Sequence, residues 1–162
     1  MSRRLMSAAI LAMAIAAPAR IARADISSSN VISAFRGQLV ISKDELPEGK
    51  NDRETIQKIK AVQLKELVGA ATGDGKEDVV SWHFHYTAFL TRTGAKSLKL
   101  EFMNGKQLSA DQRLSDVDPK NAVLSGDISI DEDQGLNKGR TYTVQLVTDN
   151  DQVVCSTQLT MK

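Results

Sequence analysis

His83 and His85 are the only histidines in the 162-residue chain, and they stand two apart in Val80-Ser81-Trp82-His83-Phe84-His85-Tyr86-Thr87-Ala88-Phe89-Leu90. In extended backbone that spacing puts both rings on one side, with Cβ atoms about 6.5–7 Å apart. His-x-His on a sheet face lets two imidazoles converge on one ion. If Gly94 centres a hairpin to the next strand, Thr87 faces Glu101 and His85 faces Met103. A carboxylate and a thioether would then join the imidazoles, a mixed set suited to zinc or copper. A plainer reading also fits: a strand with one buried face must carry polar residues on the other, and the sequence fixes no third ligand. Phe89 shares the outward side, and an apolar ring beside imidazoles marks a contact patch. The expected binding surface is His83, His85, Phe89, Glu101 and Met103, with His83 and His85 as the metal candidates.

Other chemistry is poorly supported. Asp131-Glu132-Asp133 with Asp127 makes an acidic cluster, but calcium needs six to eight oxygens. Gly135 occupies the next ligand slot and no suitably placed Glu closes the loop, so a solvated connection is the expectation. There is no G-x-S-x-G, G-x-x-x-x-G-K-[ST], C-x-x-C or H-E-x-x-H. A Ser-His-Asp triad would have to use His83 or His85 as its base. Cys155 is the only cysteine, so no internal disulfide can form. In an alternating segment it falls on the same face as Val153, Leu159 and Met161 and reads as a small buried thiol. No cofactor and no catalytic activity are expected.

The elements that must hold these residues are mostly strands. Trp82, Phe84, Tyr86, Ala88 and Leu90 alternate with polar neighbours, and four of the seven aromatics fall in this one segment. It is therefore expected at the centre of the core, where each large side chain contributes roughly 1.5–3 kcal/mol on burial. Leu98, Leu100 and Phe102 mark a second strand, closed by the Asn104-Gly105 turn signal. Residues 106–120 are polar and read as a long connection. Further strands are expected over 123–130, around Tyr142, Val144 and Leu146, and over 152–161. Phe35, Leu39 and Ile41 suggest a first strand across 34–42. Arg53 to Lys60 has helical composition after a capping Asn51 or Asp52, giving a short helix near 52–59 and then a strand near 61–68. Val62, Leu64 and Val68 also fit alternation, so helix or strand stays open across 51–68.

About seven strands with one short helix predict an all-β, antiparallel β-sandwich. Gly135-Leu136-Asn137-Lys138-Gly139-Arg140-Thr141-Tyr142-Thr143-Val144-Gln145-Leu146 resembles the E–F corner and F strand of fibronectin type III and other immunoglobulin-like domains. The resemblance implies that Tyr142 hydrogen-bonds back to the corner backbone. It places Trp82 in strand B, residues 97–103 in strand C, 123–130 in strand E and 152–161 in strand G. Lys138 stands where a proline is usual, and no cysteine pair is present.

Residues 1–24 hold four of the 21 Lys and Arg and none of the 20 Asp and Glu, so residues 25–162 carry three more acids than bases. A mildly acidic chain without a basic block is ill suited to gripping phosphate backbones, and no nucleic-acid partner is expected. Met1-Ser2-Arg3-Arg4, the apolar run Leu5–Ala17 and Ala22-Arg23-Ala24 read as a secretory signal peptide cut between Ala24 and Asp25. The pair Arg3-Arg4 leaves general or twin-arginine export open. The expectation is one sandwich domain over 25–162, exported to the periplasm or beyond, with no membrane anchor after processing. It would act as a non-catalytic binding or structural module of immunoglobulin-like type, on a protein partner the sequence does not identify, through a sheet face or an edge strand. The alternative is a periplasmic copper- or zinc-binding protein using the His-x-His strand. Oligomeric state is not legible in the sequence.

Overall fold

The computed structural model describes residues 25–72, 79–90, 95–115 and 117–162. The expected signal peptide, the Gly73-Asp74-Gly75 turn and most of the Arg92–Lys96 turn lie outside the described residues. Nine strands form two sheets among the described residues, the expected all-β sandwich, with nine strands and two α-helices where about seven strands and one helix are expected.

The first sheet is built on β4 (Val79–Phe89). On one side β4 pairs with β1 (Leu39–Ser42) through residues 85–88 and with β3 (Ala70–Thr72) through 79–81. On the other side β7 (Val123–Asp131) pairs with it without interruption from Ser81↔Asp131 to Phe89↔Val123. The second sheet has the order β2 (Glu66–Leu67), β9 (Val153–Met161), β8 (Thr141–Thr148), β5 (Leu98–Asn104), β6 (Gln107–Leu114). All its pairings are antiparallel except β2 with β9. Strands β4 and β7 thus occupy the B and E positions, and β5, β8 and β9 the C, F and G positions, as the resemblance implies.

The inward residues meet between the sheets. Trp82, Phe84, Tyr86 and Ala88 of β4 face Leu100, Phe102, Val144, Leu146, Leu159 and Met161, all buried. Phe84 and Phe102 meet edge to face at 6.3 Å across the layers. Opposite Tyr86, β7 carries Gly126, where a Cβ would come within 3.1 Å of the Tyr86 ring. The corner forms as expected: Leu136 is buried and the Asn137 N–H donates to the Tyr142 hydroxyl at 2.8 Å. Cys155 is buried, and desolvation pushes its thiol pKa up to about 12.

Four expectations need correction. Phe35 belongs to a helix, α1 (Ser29–Phe35), so no strand runs over 34–42 and β1 begins only at Leu39. Ser28 caps α1 by accepting from the Val31 N–H, and Val31 and Phe35 then share one helical face, which the Phe35–Leu39–Ile41 alternation concealed. The second helix, α2 (Asp52–Val62), outlasts its expected end at 59 and absorbs Val62, leaving only Glu66–Leu67 of the expected strand over 61–68. Asn51 caps it through the Glu54 N–H at 3.0 Å, with Asp52 and Glu54 in the first turn complementing the helix dipole.

Residues 107–114 form edge strand β6 rather than a connection. Gly105 adopts φ +62°, which closes a tight hairpin from β5, and an edge strand can remain polar because only Ala110 of it is buried. Finally, β4 and β5 are not a hairpin. They sit in opposite sheets because their apolar sides pack against each other, which side-by-side pairing would prevent.

The two helices cover part of the outer side of the first sheet. Val31, Phe35, Val40, Leu46, Ile59 and Phe89 form a second buried cluster there. Phe35 and Phe89 stack at 5.1 Å. Strand β1 is therefore buried on both sides, matching its unbroken Leu39-Val40-Ile41 run.

Candidate functional site

Strand alternation turns Ser81, His83, His85, Thr87 and Phe89 away from the inter-sheet core, and the register sets each against an outward residue of β7. Ser81 Oγ donates to Asp131, and Ser129 Oγ is hydrogen-bonded to His83 Nδ1. His85 Nδ1 lies 2.9 Å from Asp127 Oδ1. Thr87 stands opposite Ser125. The outer side of the sheet is a ladder of polar cross-strand pairs that ends at the buried Phe89.

The expected patch is therefore divided. His83 is exposed, whereas His85 is only 5% exposed. The two rings open on different hollows. Phe89 is sealed under α1 and α2 and offers no contact surface. Glu101 and Met103 lie on the outer side of the second sheet, with the sandwich core between them and the histidines. Glu101 accepts from Gln145 Nε2 at 3.0 Å and pairs with Lys99 at 3.4 Å. The third ligand that the metal reading drew from Glu101 or Met103 is thus removed, and among the described residues no three His, Cys, Asp or Glu are grouped to hold an ion. In the acidic cluster, Asp131 accepts from Ser81 and its N–H is bound by Gln134 Oε1, so it serves the end of β7.

In place of that patch the structure shows a cleft of about 1000 Å³. His85, Thr87 and Ser125 line it from the sheet, and Glu45, Leu46 and Glu48 from the segment leading to α2. That segment is fixed: the Gly49 N–H donates to Thr55 Oγ1 at 2.8 Å and the Lys50 N–H to Glu54 Oε2 at 3.0 Å. Lys58 pairs with Glu54 at 3.0 Å and donates to the Glu48 carbonyl at 3.1 Å. The Lys58 ammonium, with the Lys50 N–H, holds the Glu54 carboxyl below the usual carboxylate range.

Two groups on the cleft's sheet side are chemically distinctive. Thr87 is 0% exposed, and among the described residues its hydroxyl has no hydrogen-bond partner. His85 is oriented by Asp127. A carboxylate only accepts, so Nδ1 carries the proton, and in the Nδ1–H tautomer Nε2 keeps its lone pair. A buried imidazole held this way, beside an unmatched hydroxyl, is an acceptor-rich surface.

Sequence reasoning did not nominate Thr87, Ser125, Glu45 or Glu48. A signal existed for the first two. Ser81, His83, His85 and Thr87 form one period-two polar track, and Ser125, Asp127, Ser129 and Asp131 form another of equal length. Pairing strands B and E brings the tracks face to face.

Fold and site together define an immunoglobulin-like sandwich whose B–E sheet is partly roofed by two helices and hollowed beside the roof. No family model and no curated protein matches this chain.

Proposed function

We propose that the chain is an exported, non-catalytic binding module that takes up an extended segment of a protein partner along β7. The observation that supports this is the state of that strand. β7 runs nine residues in unbroken register with β4, and no strand pairs with its other edge among the described residues. Open edges are templates for strand addition unless blunted by bulges, prolines or lysines. Val123-Leu124-Ser125-Gly126-Asp127-Ile128-Ser129-Ile130-Asp131 has none of these. The other edges are less suited. β2 has two residues and β3 three, and β6 meets β5 across a register shift at Phe102/Met103. Export rests on the sequence pattern of residues 1–24.

The test is a photo-reactive residue placed at Ser129 on β7 or, as control, at Asp111 on β6, both exposed. In fractionated cells, Ser129 is expected to form an adduct with a discrete partner in the exported fraction, and Asp111 none. Adducts from Asp111 alone, or a chain confined to the cytoplasm, would overturn the reading.

A further inference from the structure

The cleft opens beside β7 at Ser125, so a segment seated on that edge would pass along its mouth. Its sheet-side groups are His85, whose Nδ1 is taken by Asp127, and the hydroxyl-bearing Thr87 and Ser125. The roof adds Glu45 and Glu48, whose carboxylates form no ion pair among the described residues. Of the two lysines in the lining, Lys58 is already neutralised by Glu54, and Lys50 lies near the same carboxylate. Asp127, with an 88% exposed side chain, adds negative charge on the β7 side of His85.

A full hydrogen-bond match to this surface needs a ligand rich in donors and positive in charge. Reach narrows the choice. Strands in a sheet lie about 4.8 Å apart, so a side chain from a strand added to β7 must cross β7 to meet β4. Ser125 is small enough to be crossed. Lys and Arg are the long side chains that only donate.

We propose that the cleft receives the ammonium or guanidinium end of a Lys or Arg carried by the partner segment, with Thr87, His85 and Ser125 accepting from it and Glu45 and Glu48 balancing its charge. The assignment rests on the strand-addition reading above and names the partner's chemistry: an extended segment with a basic residue facing the roofed side.

The test uses three capped heptapeptides of alternating Thr and Val, with Arg, Gln or Glu at the centre, and arginine amide alone. Binding is followed by amide exchange along β7 and by the side-chain NMR signals of Thr87 and His85. The Arg peptide is expected to protect β7 amides and shift both side chains, and to bind at least tenfold tighter than the Gln and Glu peptides. Thr87→Val should weaken the Arg peptide severalfold and leave the Gln peptide unchanged. Equal binding of all three peptides, with β7 protected, would overturn the cleft assignment and leave strand addition standing. Shifts of Thr87 and His85 with arginine amide, but no protection of β7 by any peptide, would overturn strand addition instead. No response to any of the four probes would overturn both.

Discussion

Thr87→Val keeps the outline of the side chain and removes one hydroxyl. At most buried threonines this exchange is unfavourable, because the hydroxyl is bonded and its loss orphans a partner. Here the hydroxyl is fully buried and has no partner among the described residues, so nothing is orphaned. A buried, unsatisfied polar group costs about 1–3 kcal/mol, and valine abolishes that term while adding a methyl to the surface removed from water. Stabilisation of about 1–2 kcal/mol is the expected net. For a chain of this length that corresponds to a rise in Tm of about 3–6 °C. Thermal unfolding followed by circular dichroism, with urea titration to confirm an unchanged m-value, measures it directly. The same variant should lose affinity for the Arg peptide, so stability and binding move in opposite directions. A Tm equal to or below that of the parent would show that the hydroxyl is hydrogen-bonded in solution. The hydroxyl would then not be held open for a ligand.

Tyr142→Phe removes the acceptor of the Asn137 N–H and should lower stability by about 1–2 kcal/mol in denaturant titration; a neutral result would show that the corner does not depend on that bond. Phe35→Ala removes one half of the Phe35–Phe89 stack and should cost about 3–5 kcal/mol, with amide exchange rising in β1 and both helices before the inter-sheet core. Cys155 supplies a pH dependence. Its thiol is held neutral up to about pH 12 in the fold, whereas in the unfolded chain it ionises near its ordinary value of 9.0. The unfolded state therefore holds fewer protons between these two values. The contribution is complete below pH 9 and shrinks by about 1.4 kcal/mol per pH unit above it. The difference in stability between the parent and Cys155→Ala should stay constant up to pH 9 and narrow beyond; a difference independent of pH up to 11 would contradict the burial. Thiol reagents at pH 8 should leave Cys155 unmodified until the protein unfolds.

The alternation through Trp82, Phe84 and Tyr86 revealed which side of β4 is buried, and the Leu136–Tyr142 segment revealed the corner. Both follow from local rules, since side-chain phase and turn chemistry are properties of adjacent residues. Partnership is not local. A link between residues 90 and 98 serves equally for a hairpin or for a crossing between sheets, and choosing the hairpin displaced Glu101 and Met103 to the wrong side of the molecule. Phe89 shows a related gap. Its phase is outward, but whether outward means wet depends on where α1 and α2 settle, and that is decided by the fit of Val31, Leu46 and Ile59 over Val40. Thr87 could be placed on a side, but not at the base of a cleft whose other wall comes from residues some forty positions earlier.

Gly126 has an effect beyond its own position. With the Tyr86 ring lying over it, sliding β7 by two residues would bring Leu124 or Ile128 under that ring, where even a Cβ would come within 3.1 Å of it. The outward tracks would fall out of step in the same movement, parting Asp127 from His85 and Ser129 from His83. The free edge is thus locked in phase: any chain that docks there reads a stationary template, and the roofed hollow always lies beside the same rung.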